Sequence, residues 1–404
     1  MIENVIVCEL EGDTKGKIND TQYGNCKGSS TTHYLLKLMD QAYKSTNKGH
    51  ATTAITIDYS KAFDYVNHDV LIQKLVVLGV RKRVIKLIIS FLSNRSHSTC
   101  IQGNKSEYVN ITCGVPQGTV TGPRLFVILI NDDKCDFLSN YKFVDDKTLA
   151  LSYSGNQTET LQRALDIEST HTVENKMTIN ENKCNVIEFN FSKKNKSPES
   201  LTLNGNNIQT VDKLKLLGVI LTKDLKWYEN TSYICSKVNR KLYILRKLKD
   251  FGLQSEELVN AWVSILRPNT EYAVPLWHSG LTLFDVNRLE KIQKRALGII
   301  FATVYIENKR YYKVGNNQLS YDESLQFLGL TTLSYRREAL THKFALQTIK
   351  NEKHKDLFIK KKCHGFNTRN KFLIGEIHCK TLRYYKSAIP SMSRTLNGIV
   401  MTQG

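Results

Sequence analysis

The stretch AITIDYSKAFDYVNH, residues 54–68, decides the fold. Ala54–Asp58 is apolar or β-branched up to its last residue, which predicts a buried strand ending in a carboxylate. Ala62-Phe63-Asp64 follow as the chain turns toward a helix over His68–Leu78, where Val70, Leu71, Leu75 and Leu78 recur at helical spacing. A carboxylate at the end of a buried strand is costly unless a cation compensates it, and a metal ion does so. Standing alone, Asp58 is better read as a helix cap.

Working outward, Val84–Leu92 reads as a second amphipathic helix. Short apolar strands alternate with helical patterns from residue 54 to about residue 190, which indicates an α/β or α+β layer. In YKFVDDKTLALSY (141–153) two alternating arms flank Asp145-Asp146, the pattern of a hairpin with two carboxylates at its turn. Such pairs are often only turn formers, yet adjacent anions repel and bound cations relieve that strain. The nearby pair Asp132-Asp133 follows the apolar run Leu125–Ile130 like a helix end and reads as structural. In CGVPQGTVTGPRLF (113–126), Gly114, Pro116, Gly118, Gly122 and Pro123 force a turn that presents Gln117 before an apolar helix.

Upstream, residues 1–53 are polar, with Gly24, Gly28, Ser29 and Ser30 ahead of a helix predicted over Thr31–Tyr43. Downstream, Val186–Phe191 and Leu214–Leu221 read as strands, with a turn at Gly205-Asn206. Beyond Trp227 the pattern is helical. In Lys237–Lys249 the residues Val238, Leu242 and Leu245 form one face, among six basic residues and no acidic one. Arg288–Phe301 repeats the pattern.

The 404 residues carry 57 Lys and Arg against 38 Asp and Glu, a net charge of +19, which favours polyanionic partners. No apolar run approaches the ~20 residues that span a bilayer, and no secretory signal opens the chain. The nine cysteines are scattered, as suits reduced thiols inside a cell, nuclear or cytoplasmic. Cys363-His364 and His378-Cys379 do not have the spacing of a zinc site.

In their order, the three segments resemble motifs A, B and C of reverse transcriptases, most closely those of non-LTR retrotransposons of the jockey-like or LINE-like kind. QYGNCKGSSTTHYLL (22–36) is similar to a segment preceding motif A, NKMTINENKCNVIEF (175–189) to motif D, and KLLGVILTKDLKW (215–227) to motif E. The regions 290–301 and 334–340 are similar to the family's text beyond the thumb. The likeness spans about residues 18 to 345.

The resemblance implies an α+β right-hand polymerase: partial fingers over 1–53, a palm over 54–226, a helical thumb over 227–305 and a basic C-terminal region over 306–404. It implies an RNA-directed DNA polymerase that takes an RNA template, a DNA primer or target and deoxynucleoside triphosphates. Asp58 and Asp145 would bridge two Mg²⁺ ions, or Mn²⁺, with Asp146 in support. Phe63 matches the steric gate that selects deoxynucleotides, Gln117 and Gly118 the lining of the nucleotide pocket, and Lys183 a proton donor to pyrophosphate. Val144, Thr119, Thr121, His171 and Asp133 depart from the family's usual residues. The chain starts just before the QYG segment, so most of the fingers is expected to lie outside it, with no endonuclease ahead and no ribonuclease H behind. The alternatives are a non-catalytic nucleic-acid-binding remnant and an RNA-dependent RNA polymerase, which Phe63 argues against.

Overall fold

The computed structural model describes residues 2–306, 309–314, 316–359 and 374–402. The chain divides into two compact units, one of residues 1–34 and 49–212, the other of residues 35–48 and 213–404. This division differs from the functional boundaries read above: 35–48 and 213–226 belong with the second unit.

In the first unit, helix α1 (Ile2–Thr14) precedes α2 (Thr31–Asn47), whose later turns belong to the second unit. Strand β1 (Ala51–Ile57) leads to α3 (His68–Val77) and α4 (Lys82–Leu92). Asn67 caps α3 by accepting a hydrogen bond from the Val70 amide, so the chain turns into the helix directly after the motif A loop. Two small antiparallel pairs follow, β2 (Arg95–His97) with β5 (Val109–Ile111), and β3 (Cys100–Ile101) with β4 (Asn104–Lys105). Helix α5 (Thr121–Leu129) takes Gly122 and Pro123 into its first turn, where a missing proline amide costs no helical hydrogen bond, so these two belong to the helix and not to the turn before it. The hairpin β6 (Ser139–Phe143) and β7 (Asp146–Tyr153) precedes α6 (Thr158–Glu174) and β8 (Asn185–Phe189).

The five-stranded sheet runs β11-β8-β1-β7-β6, with β11 at Gln209–Thr210. β1 lies at its centre, antiparallel to β7 and β8, so the strand read first from sequence is covered on both edges. Register pairs Ile55 with Leu149 and Ile57 with Lys147. Because strand side chains alternate, Ile55, Ile57 and Leu149 share one face, and all three join the apolar core with Leu125, Leu161 and Leu165 of α5 and α6. On the opposite face the Tyr34 hydroxyl donates to Thr148 Oγ1 at 2.6 Å.

Two strand readings change in detail. The turn near Gly205 is centred on Asn204-Gly205, both at positive φ, joining β9 (Thr202–Leu203) to β10 (Asn206–Asn207). Leu214–Leu221 is not one strand but a hairpin, β12 (Lys213–Leu216) and β13 (Val219–Thr222), folded at Leu217-Gly218. Both turns have positive φ at the two central positions, the conformation whose twist matches that of paired strands.

In the second unit, α7 (Tyr228–Asp250) buries Val238, Leu242 and Leu245 as the spacing predicts, and packs against the helix Leu283–Ile300. Arg240, Arg246 and Lys247 remain exposed. Trp262 and Trp277 are fully buried. A three-stranded antiparallel sheet over Ala302–Ile306, Lys309–Val314 and Asn317–Leu319 precedes the long helix Leu333–Lys350. No helix among the described residues is long and apolar enough to cross a membrane. Cys363-His364 lie outside the described residues.

Candidate active site

The site is built where β1 ends beside the β6–β7 turn. Asp58 follows the last residue of β1, and its carbonyl accepts the Asn180 amide at 2.8 Å. Tyr59 forms a bridge with Ile179, and the Ser60 amide donates to Thr178 O at 2.8 Å. The segment resembling motif D thus extends the pairing of β1 past its end and fixes the backbone that carries Asp58.

Phe143 pairs with Asp146, leaving Val144-Asp145 as a two-residue turn. Asp145 therefore sits in the turn and Asp146 opens β7, a closer placement than two carboxylates at the turn. Val144 has φ 61°. This is the first central position of a mirror-image hairpin turn, where glycine is usual, and a β-branched residue there is strained. Such strain costs on the order of 1–3 kcal/mol and persists only where the surroundings hold it.

The surroundings are the segment read upstream as a glycine-rich lead-in. Gln22 is buried and its Oε1 accepts from the Val144 amide at 3.1 Å and the Gly24 amide at 2.9 Å. Tyr23 donates to Lys142 O at 2.8 Å, and Lys142 donates to Thr21 O at 2.9 Å. A Cβ on Gly24 would lie 2.5 Å from Val144 Cγ2 and 2.7 Å from its nitrogen, so only glycine fits. Sequence reasoning missed Gln22 and Gly24 as supports of the site, although the likeness of segment 22–36 to family text marked the stretch that contains them.

Two of the three carboxylates, Asp145 and Asp146, carry raised pKa values. Burial raises Asp146, to about 6, and Asp145 and Asp58 push in the same direction. Asp145 is raised by burial and by Asp58, against its own backbone hydrogen bond. Close carboxylates in a half-buried place resist losing both protons. The ammonium of Lys183 lies 3.5 Å from Asp58 Oδ2 and is largely exposed. Among the described residues no three His, Cys, Asp or Glu side chains form a ready-made ligand cage. Three carboxylate donors without thiol or imidazole nonetheless suit a hard divalent cation.

The glycine-rich loop is stitched onto the turn after Asp58. Gly114 donates to Val66 O at 2.8 Å, and Val115 donates to Phe63 O at 2.9 Å. A Cβ on Gly114 would lie 2.6 Å from Asp64 O, which explains that glycine and its φ of +85°. Gln117 Nε2 donates to Asp64 Oδ1 at 2.9 Å, tying the two motifs by side chains as well. Gly118 faces open space at φ +77°. Phe63 is half-buried, its ring stacked on Phe126 with centroids 4.8 Å apart. It therefore has the packing of a core residue on one side, alongside its register with Asp58. All seven residues singled out from sequence lie in the first unit.

Residues 1–221 match the family model described as reverse transcriptase (RNA-dependent DNA polymerase). The chain belongs to the reverse transcriptase family. It is 24% identical over 296 residues to the RNA-directed DNA polymerase from mobile element jockey of Drosophila funebris. It is 27% identical over 295 residues to that of Drosophila melanogaster. These alignments cover 68% and 69% of this chain and 31% of each relative, so the chain spans about a third of their length. The match to jockey agrees with the non-LTR character of the motifs. A structure of telomerase from Candida tropicalis with a telomeric RNA fragment aligns over 100% of this chain and 54% of its own, at 11% identity and TM-score 0.42.

Proposed function

We propose that this chain is the polymerase portion of a non-LTR retrotransposon protein, an RNA-directed DNA polymerase that adds deoxynucleotides to a primer 3′-hydroxyl. The observation that carries the reading is the mutual crowding of Asp58, Asp145 and Asp146 at the end of a central strand and an adjoining turn. The partners are an RNA template, a DNA primer or target and deoxynucleoside triphosphates, in keeping with the net charge of +19. Its setting is intracellular, nuclear or cytoplasmic. The palm covers 54–226 and the thumb 227–305, with partial fingers over 1–53 and the basic C-terminal region over 306–404.

Asp58, Asp145 and Asp146 would hold two Mg²⁺ ions, which when bound would lower the pKa of the primer hydroxyl and neutralise charge on the triphosphate. The remaining work belongs to side chains. Phe63, braced by Phe126, blocks a ribose 2′-hydroxyl. Gln117, oriented by Asp64, lines the nucleotide pocket beside Gly118, where no side chain intrudes. Lys183 beside Asp58 hands a proton to the leaving pyrophosphate.

Primer extension on an RNA template with Mg²⁺ tests the reading. Extension that Asp145→Asn abolishes supports it; template binding without extension by the unaltered chain sinks it in favour of a binding remnant. Phe63→Ala is expected to admit ribonucleotides, and unchanged sugar selection would refute the gate.

A further inference from the structure

Directly behind the aspartates lies a second charged cluster that the proposed chemistry does not use. Strand side chains alternate, so the residues after Asp58 and Asp146 point to the opposite face. Tyr59 follows Asp58 and Lys147 follows Asp146. Both side chains turn into the core, and both meet the same two carboxylates. Lys147 Nζ forms ion pairs with Asp133 Oδ1 and Glu168 Oε2. The Tyr59 hydroxyl lies 2.6 Å from Glu168 Oε1 and 3.1 Å from Asp133 Oδ2, its single proton serving one at a time.

Lys142, directly opposite Lys147 across the β6–β7 pair, donates to Asp133 O at 2.6 Å and Ile130 O at 2.8 Å. His171 Nδ1 lies 3.8 Å from Asp133 Oδ1. Lys147, Asp133, Glu168 and Lys142 are all at most 2% exposed. One buried ammonium group, Lys147, thus meets two buried carboxylates, and a second, Lys142, is held beside them by backbone carbonyls. Such groups are expensive to desolvate, and apolar side chains would pack there at less cost. What the cluster supplies instead is direction: it ties the residues after Asp58 and Asp146 to common anchors on α6 and the loop after α5.

We propose that Tyr59, Lys147, Asp133 and Glu168 form a buried ionic brace that sets the spacing of Asp58 against Asp145 and Asp146. They are positioning residues for divalent-cation binding. The inference rests on the polymerase reading of that site. Without the brace, β1 and β7 still pair through their backbones, but the two strand ends lose their shared side-chain anchor just where pairing stops.

Tyr59→Phe removes one hydroxyl and keeps the ring, so the chain is expected to fold. Lys147→Met with Glu168→Met removes one charge of each sign, and its melting temperature is expected to exceed that of Lys147→Met alone. Mn²⁺ affinity, read by electron paramagnetic resonance, and the Mg²⁺ concentration for half-maximal primer extension are measured for each. Both are expected to weaken about tenfold in the double variant, and less in Tyr59→Phe, even where the melting temperature recovers. If Tyr59→Phe and the well-folded double variant bind Mn²⁺ as the unaltered chain does, the brace is overturned while the polymerase reading stands. If the unaltered chain itself binds no Mn²⁺ and extends no primer, it is the polymerase reading, and the brace with it, that fails.

Discussion

The two faces of the β1–β7 pair hold similar numbers of carboxylates and treat them oppositely. On the buried face, burial raises Asp133, but Lys147, Lys142 and His171 outweigh it and hold the carboxyl below its usual range. At the exposed turn and strand end, Asp145 and Asp146 are raised, by burial and by anionic neighbours. The chain supplies its own cations to Asp133 and Glu168, whereas at the proposed cation site Lys183 approaches Asp58 from an exposed position. Carboxylates left crowded at the end of a central strand are therefore a sign of a site, whereas carboxylates met by buried lysines are a sign of architecture.

The largest effect expected is on chemistry. Asp145→Asn removes a proposed ligand of the divalent cations and should lower the primer-extension rate by about a thousandfold or more. Comparable activity in that variant would break the contrast on the exposed side.

Next comes the buried face. Lys147→Met alone leaves Asp133 and Glu168 without their shared cation, and should destabilise the first unit by about 3–5 kcal/mol in urea unfolding. A neutral result would show that the buried charges are not held as pairs.

Gly24→Ala pushes a methyl group into Val144 at the strained turn, and a loss of about 1–3 kcal/mol is expected by the same measurement. Extension activity should fall further than stability alone explains, because the displaced segment carries Asp145.

Smallest is the pH effect. Asp146 is pushed up to about 6 in the folded chain against an ordinary value of 3.8. The folded state then binds that proton more tightly than the unfolded state, so stability falls as pH rises from about 4 to about 6. Relative to the unaltered chain, Asp146→Asn should therefore gain melting temperature above pH 6 and show little difference near pH 4. A gain of the opposite sign would contradict the crowding of the three carboxylates.

Much of this contrast was legible in the sequence. The unbroken apolar and β-branched run Ala54–Ile57 and the two alternating arms around Asp145-Asp146 were legible as strands, and the structure pairs them; β1 reads as a continuous run because it is buried on both faces. The apolar spacing read over His68–Leu78 and Lys237–Lys249 marked helices that the structure bounds at His68–Val77 and Tyr228–Asp250. The brace was not legible. Asp133 was read as structural, but its partners lie 74 residues away at Tyr59 and 14 away at Lys147. A buried lysine in a chain of 57 basic residues looks like any surface lysine. The hairpin at Leu217-Gly218 was also missed, since apolar residues on both sides of a tight turn read as one continuous strand. Beyond residue 306, frequent lysines hid the alternation of the sheet that contains Lys309–Val314.

The central claim is that the exposed aspartates await a divalent cation that the buried Asp133 and Glu168 do not need. Its most direct test is the melting temperature of the chain against Mn²⁺ concentration at neutral pH. The unaltered chain should rise steadily, reaching about 2.7 kcal/mol of added stability at a hundred times the dissociation constant, and Asp145→Asn should stay nearly flat. Equal rises in both, or no rise in the unaltered chain, would contradict it.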